Sequence, residues 1–130
     1  MNESRRRNEL TEIIKQAHRE INDFDDAKRL KENAGMAGKC FRTRNNYSCP
    51  EKPDDYWWLY LQVTEVSADG YLSVWTFEQD TYGHVRIDAP DTRPYLGTSY
   101  EEITPDHFWE MWRALRQALS IIAAKGGYHD

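Results

Sequence analysis

The sequence predicts an α+β domain: a five-stranded antiparallel meander, bent or closed into a small barrel, with a helix at each end. Three observations carry that expectation. Apolar residues recur at helical spacing near the start of the chain and again after Thr104. Between Gly38 and Ile103 the period falls to two, as in strands. Short turns containing glycine, "SADG" and "DTYG", divide that middle into hairpins.

In the first segment, residues 4–33, Leu10, Ile14, Ala17, Ile21 and Phe24 fall at spacings of 4, 3, 4 and 3, with Ile13 beside them. They form one narrow helical stripe. Asn22, Asp23, Asp25 and Asp26 offer a place to break and recap, and Gly35 a place to stop, so the segment reads as one helix or a broken one. A stripe of about two heptads can be buried on the chain's own sheet or on a second copy. A homodimer through this helix is therefore one expected partnership.

The strands follow in order over residues 38–103. "GKCFRTR" is the first, "NNYSCPEKPDD" a loop, "YWWLYLQVTEV" the second, "YLSVWTFEQ" the third and "HVRID" the fourth. After a loop from Pro90 to Pro94, "YLGTSYEEI" supplies a short fifth. On the second strand Trp57, Leu59, Leu61 and Val63 share one face, and Tyr56, Trp58, Tyr60 and Gln62 the other. On the third, Leu72 and Val74 oppose Tyr71, Trp75 and Phe77. Both faces are apolar at the centre, so the sheet needs a layer on each side, and the two helical stripes are the expected cover.

The last helix, residues 105–125, carries complete end signals. Thr104 is placed to cap it, Pro105 takes the first helical position, Asp106 the first turn and Lys125 the last, and Gly126 follows. Phe108, Met111, Trp112, Leu115, Leu119 and Ile122 make its apolar stripe.

Composition narrows the function classes. The 130 residues make one domain with a core of its own, and 13% aromatic residues outweigh the disorder signal of 30% charged ones. No apolar run approaches the roughly 18 to 20 residues of a membrane span, and "MNESRRRNEL" has no leader-like apolar segment, so a cytoplasmic protein with no membrane partner is expected. Cys40 and Cys49 are too few for a disulfide framework and read as thiols. The net charge of −5 divides unevenly. Residues 1–44 hold 11 Lys and Arg against 8 Asp and Glu, net +3; residues 45–130 hold 6 against 14, net −8. An acidic body disfavours phosphate and suits a protein partner with a basic surface.

Catalytic and metal signatures are missing. The cysteines are not paired at zinc spacing, His18, His84, His107 and His129 are scattered, and no glycine-rich loop joins a strand to a helix. A Cys40 and His84 nucleophile pair has no support in spacing, and the adjacent carboxylates Asp54 with Asp55 and Glu101 with Glu102 diverge as neighbours on a chain do. The reading is of a non-enzymatic protein without cofactors. Its expected protein-binding residues are Trp58 and Tyr60 as aromatic anchors, rimmed by Asp54, Asp55, Glu101 and Glu102. The alternative is a nucleic-acid-binding small barrel that uses Lys39, Arg42, Arg44 and Tyr47 on a basic, aromatic strand.

The middle of the chain, "GKCFRTRNNYSCPEKPDDYWWLY" with "DTYGHVRID", resembles short uncharacterised proteins encoded by bacteriophages and prophages, over residues 36–104. The resemblance implies no active site. It implies an accessory protein that binds a host or phage protein in the host cytoplasm, inhibitors of host defence proteins included.

Overall fold

The computed structural model describes residues 3–46 and 55–124, with side chains as far as residue 121. The elements are α1 (Glu3–Asn33), β1 (Cys40–Asn46), β2 (Tyr56–Val66), β3 (Leu72–Gln79), β4 (Val85–Arg93), β5 (Glu101–Ile103) and α2 (Pro105–Ala124). The α+β class, the five antiparallel strands and the flanking helices agree with the sequence reading. Closure does not. The strands lie in the order β4-β3-β2-β1-β5, an open sheet whose first four strands meander while the fifth returns to pair with β1. A barrel would require β4 to pair with β5, but β5 is three residues long and β4 carries Pro90, which has no N–H to give.

The two hairpin turns share one construction. Gly70 and Gly83, at φ of 86° each, occupy the left-handed position, and their amides donate to Ser67 O (2.9 Å) and Asp80 O (3.0 Å). All of the expected Pro90–Pro94 loop but Pro94 is instead the second half of β4. Its register shifts between Val74 and Thr76, so Ala89 and Pro90 fall at a bulge on an edge strand, where a missing N–H breaks no ladder.

One face of the sheet packs under α2. Cys40, Tyr60 and Phe77 meet Phe108 and Leu115, bordered by Trp58, Trp75, Val85, Ile103, Met111, Trp112 and Leu119. Trp75 meets the rings of Phe108 and Trp112 edge-on, at 5.4 and 5.3 Å between centroids, and Phe77 lies 5.1 Å from Phe108. The predicted cap is present: Thr104 Oγ1 accepts from His107 N at 3.1 Å. Lys125, Gly126 and the Ile122 side chain lie outside the described residues.

The other face holds Phe41, Leu61, Val63, Leu72 and Val74, and its cover corrects the expectation that α1 supplies this layer. Met36, from the connection after α1, and Leu96 and Tyr100, from the segment crossing between β4 and β5, close it instead. α1 is a single unbroken helix that meets the body through its last turns. Asn33 Nδ2 donates to Gly70 O and Pro94 O, both at 2.8 Å. Arg29 Nη1 donates to Asp69 O (3.0 Å) and Asp26 Oδ1 (2.9 Å), with its guanidinium 4.2 Å over the Tyr71 ring. A Cβ on Gly70 would stand 2.4 Å from Leu30 N, so helix backbone rests directly on hairpin backbone. The acidic run at residues 23–26 does not end the helix, because Asp26 pairs forward with Arg29.

Two outcomes follow from this packing. Phe108 is fully buried between Trp75 and Phe77, so Phe108→Ala is expected to cost about 3–5 kcal/mol in urea or thermal unfolding. The turn aspartates make a pH-dependent contribution. The Ser67 hydroxyl, helped by the Tyr71 backbone, holds the Asp69 carboxyl below its usual range. Desolvation pushes the Asp80 carboxyl up, but the backbone N–H groups of His84 and Tyr82, with the His84 ring, bring it below that range. Both are depressed carboxylates, so their contribution is complete above the unfolded value near about 4 and is lost as pH falls through the lower folded values. Carboxyl NMR titration is expected to place both midpoints below that of an unperturbed aspartate.

Candidate functional site

Pairing of β1 between β2 and β5 brings the two predicted site sets together. Arg42 stands opposite Tyr60 on one side and Glu101 on the other, and Arg44 opposite Trp58. Arg42 Nε donates to Glu101 Oε1, and its guanidinium lies 4.0 Å over the Trp58 ring. The carboxylate holds Arg42 more firmly in its charged form. Lys39 Nζ lies 3.5 Å from Glu102 Oε1. Two carboxylates of the expected acidic rim, Glu101 and Glu102, thus pair with two cations of the expected basic strand, Arg42 and Lys39.

The anchors are divided by depth. Tyr60 is 6% exposed, stacked on Phe77 at 5.2 Å, and burial pushes its hydroxyl up despite the nearby Arg42. It belongs to the core rather than to an exposed anchor surface. Trp58 is half-buried beneath Arg42, while Arg44 lies 4.5 Å over Tyr56 and 5.5 Å over Trp58. Asp55 is half-buried at the start of β2; Asp54 and Tyr47 lie outside the described residues. Trp58 packs on the α2 side of β2, and it lines a cleft of about 270 Å³ with Trp57, Tyr60, Phe77, Met111 and Leu115. That volume suits one inserted side chain better than a cofactor.

The chemistry considered for Cys40 does not assemble. Cys40 lies on β1 and His84 at the β3–β4 turn, with two strands between them, hence roughly 14 Å or more apart. His84 pairs with Asp80 at 3.1 Å. Among the described residues no cluster of three or more His, Cys, Asp or Glu side chains is placed to hold a metal ion, and no helix is long and apolar enough to cross a membrane.

A row of exposed large apolar side chains lies on α1. Leu10, Ile13, Ile14, Ile21 and Phe24 are 44, 63, 56, 56 and 69% exposed, in line along a helix of about 46 Å. The sequence displayed this stripe. What it did not display was the seat formed by Arg29, Asn33 and Gly70, because no periodicity marks a contact between a helix end and a distant hairpin. Comparison with protein-family models, curated proteins and solved structures finds no match.

The Cys40 thiol gives a direct check on burial. Desolvation, with Glu102 adding to it, raises its pKa, which lowers the reactive thiolate fraction. In a Cys49→Ser background, Cys40 is expected to resist a thiol reagent in the native protein and to react on unfolding; rapid native labelling would contradict its place under α2.

Proposed function

We propose that this is a non-enzymatic protein-binding protein whose principal contact element is α1. One observation carries the reading: large apolar side chains stand exposed in a continuous stripe on a helix that its own body leaves uncovered. Aligned apolar side chains on a helix are the usual anchors of helix-in-groove and coiled-coil recognition. An uncovered stripe of this length also deprives the helix of the tertiary packing that supplies most helical stability. The accessory-protein role implied by the phage resemblance is compatible with this reading, which moves the contact from the acidic rim to the helix. The acidic rim is weakened as a docking surface because Glu101 and Glu102 are engaged by Arg42 and Lys39.

The same pairing weakens the nucleic-acid alternative, since Arg42 and Lys39 have their charge compensated before any phosphate arrives. The experiment compares affinity capture by the native chain, by an Ile14→Asp/Ile21→Asp variant and by an Arg42→Ala/Arg44→Ala variant. Partners retained by the arginine variant and lost by the helix variant are expected. Salt-sensitive nucleic-acid binding lost only with the arginines would overturn the reading.

A further inference from the structure

The stripe on α1 is turned away from the body. At about 100° per residue, Asp26, Arg29, Leu30 and Asn33, which seat the helix, gather on one side, and the stripe lies roughly 160° around from them. The chain's own sheet cannot reach it. A second helix can lie along it without meeting the body.

The seam itself selects the occupant and its direction. With Leu10, Ala17 and Phe24 at one heptad core position and Ile14 and Ile21 at the other, the same two positions continue to Glu3 and Lys31, and to Arg7 and Lys28. All nine of these side chains are open to solvent, Glu3, Arg7, Lys28 and Lys31 included. A parallel pair would set Arg7 on Arg7, Lys28 on Lys28 and Lys31 on Lys31, with Glu20 flanking Asp25 of the other chain. An antiparallel pair with Ile14 level with Ala17 of the second copy removes every one of those conflicts. Leu10 then meets Ile21, Arg7 lies over Phe24, and Lys28 faces Glu3. Sliding one heptad in one direction sets Arg7 against Lys31, and in the other sets Ile21 against Glu3.

We infer that α1 pairs antiparallel with α1 of a second copy of this chain, through Leu10–Ile21 and Ile14–Ala17 layers closed at both ends by Arg7 over Phe24 and Lys28 against Glu3. The inference rests on the protein-binding reading of the stripe and names its partner. The helices overlap over residues 3–28, about 39 Å, and the two bodies stand at opposite ends, with their Lys31 residues about 46 Å apart along the axis.

Light scattering of the full chain is expected to give a dimer, and Ile14→Asp/Ile21→Asp to weaken it by about 100-fold or more, without changing the melting of the sheet and α2. Direction is read by disulfide trapping in a Cys40→Ala/Cys49→Ser background. Leu10→Cys chains are expected to cross-link with Ile21→Cys chains when the two are mixed. Glu3→Lys alone is expected to weaken the dimer about fivefold, and adding Lys28→Glu to the same chain to restore it. Leu10→Cys chains that cross-link only to one another would overturn the antiparallel arrangement. A monomer at every concentration would overturn self-pairing; if captured partners are then still lost with Ile14→Asp/Ile21→Asp, the protein-binding reading survives with a different partner, and if none is captured both fall.

Discussion

The close approach of Leu30 to Gly70 fixes the plan of this molecule. Helix backbone lies on hairpin backbone with no side chain between, which only glycine at the hairpin permits. Asn33 then reaches two carbonyls at once, Gly70 O and Pro94 O, and so ties the helix end to both the β2–β3 turn and the start of the crossing segment. A helix held in this way by its last turns leaves the sheet face beneath it to other cover. Met36, Leu96 and Tyr100 fill that role, and the apolar stripe upstream stays in solvent.

This joint also marks where sequence reasoning stopped. Period-two alternation located β1, β2 and β3, and the residues on each face of β2 and β3 are those that pack together, because alternation follows from strand geometry alone. The Thr104–Pro105 start of α2 was legible for the same reason: a cap is a local contact. The return of β5 to β1 was not legible, since no local feature distinguishes a strand that adds beside its predecessor from one that crosses to the far edge. The strand continuing through Pro90 was hidden because proline is tolerated at an edge bulge, and whether a strand is an edge is a property of the sheet.

The candidate site shows the same division. Lys39, Arg42 and Arg44 on one side, and Glu101 and Glu102 on the other, read as rival surfaces when separated by about sixty residues of chain. The return of β5 to β1 sets Lys39 beside Glu102 and Arg42 beside Glu101, and those four charges pair locally, while Arg44 lies over the Tyr56 and Trp58 rings. Net charge over a long segment therefore misled about the field at this edge: the −8 of residues 45–130 includes two carboxylates already engaged by cations from the basic half.

What remains is a helix whose exposure has an energetic consequence. Its surface pairs, Arg5 and Arg6 with Glu9 and Lys15 with Glu12, lie at 3.6–3.7 Å and are open to solvent, so each contributes about 0.3–0.5 kcal/mol at most. Apolar burial is the larger resource. Covering a side chain such as Ile14 or Phe24 stabilises by about 1.5–3 kcal/mol, several times any one of those pairs, and that gain is open to α1 only through a partner. Under the proposed pairing, association and helix stability support one another, because covering the stripe adds the apolar burial that α1 lacks on its own body. The fold positions the helix for that coupling, since the same seat that fixes its end turns its apolar side outward.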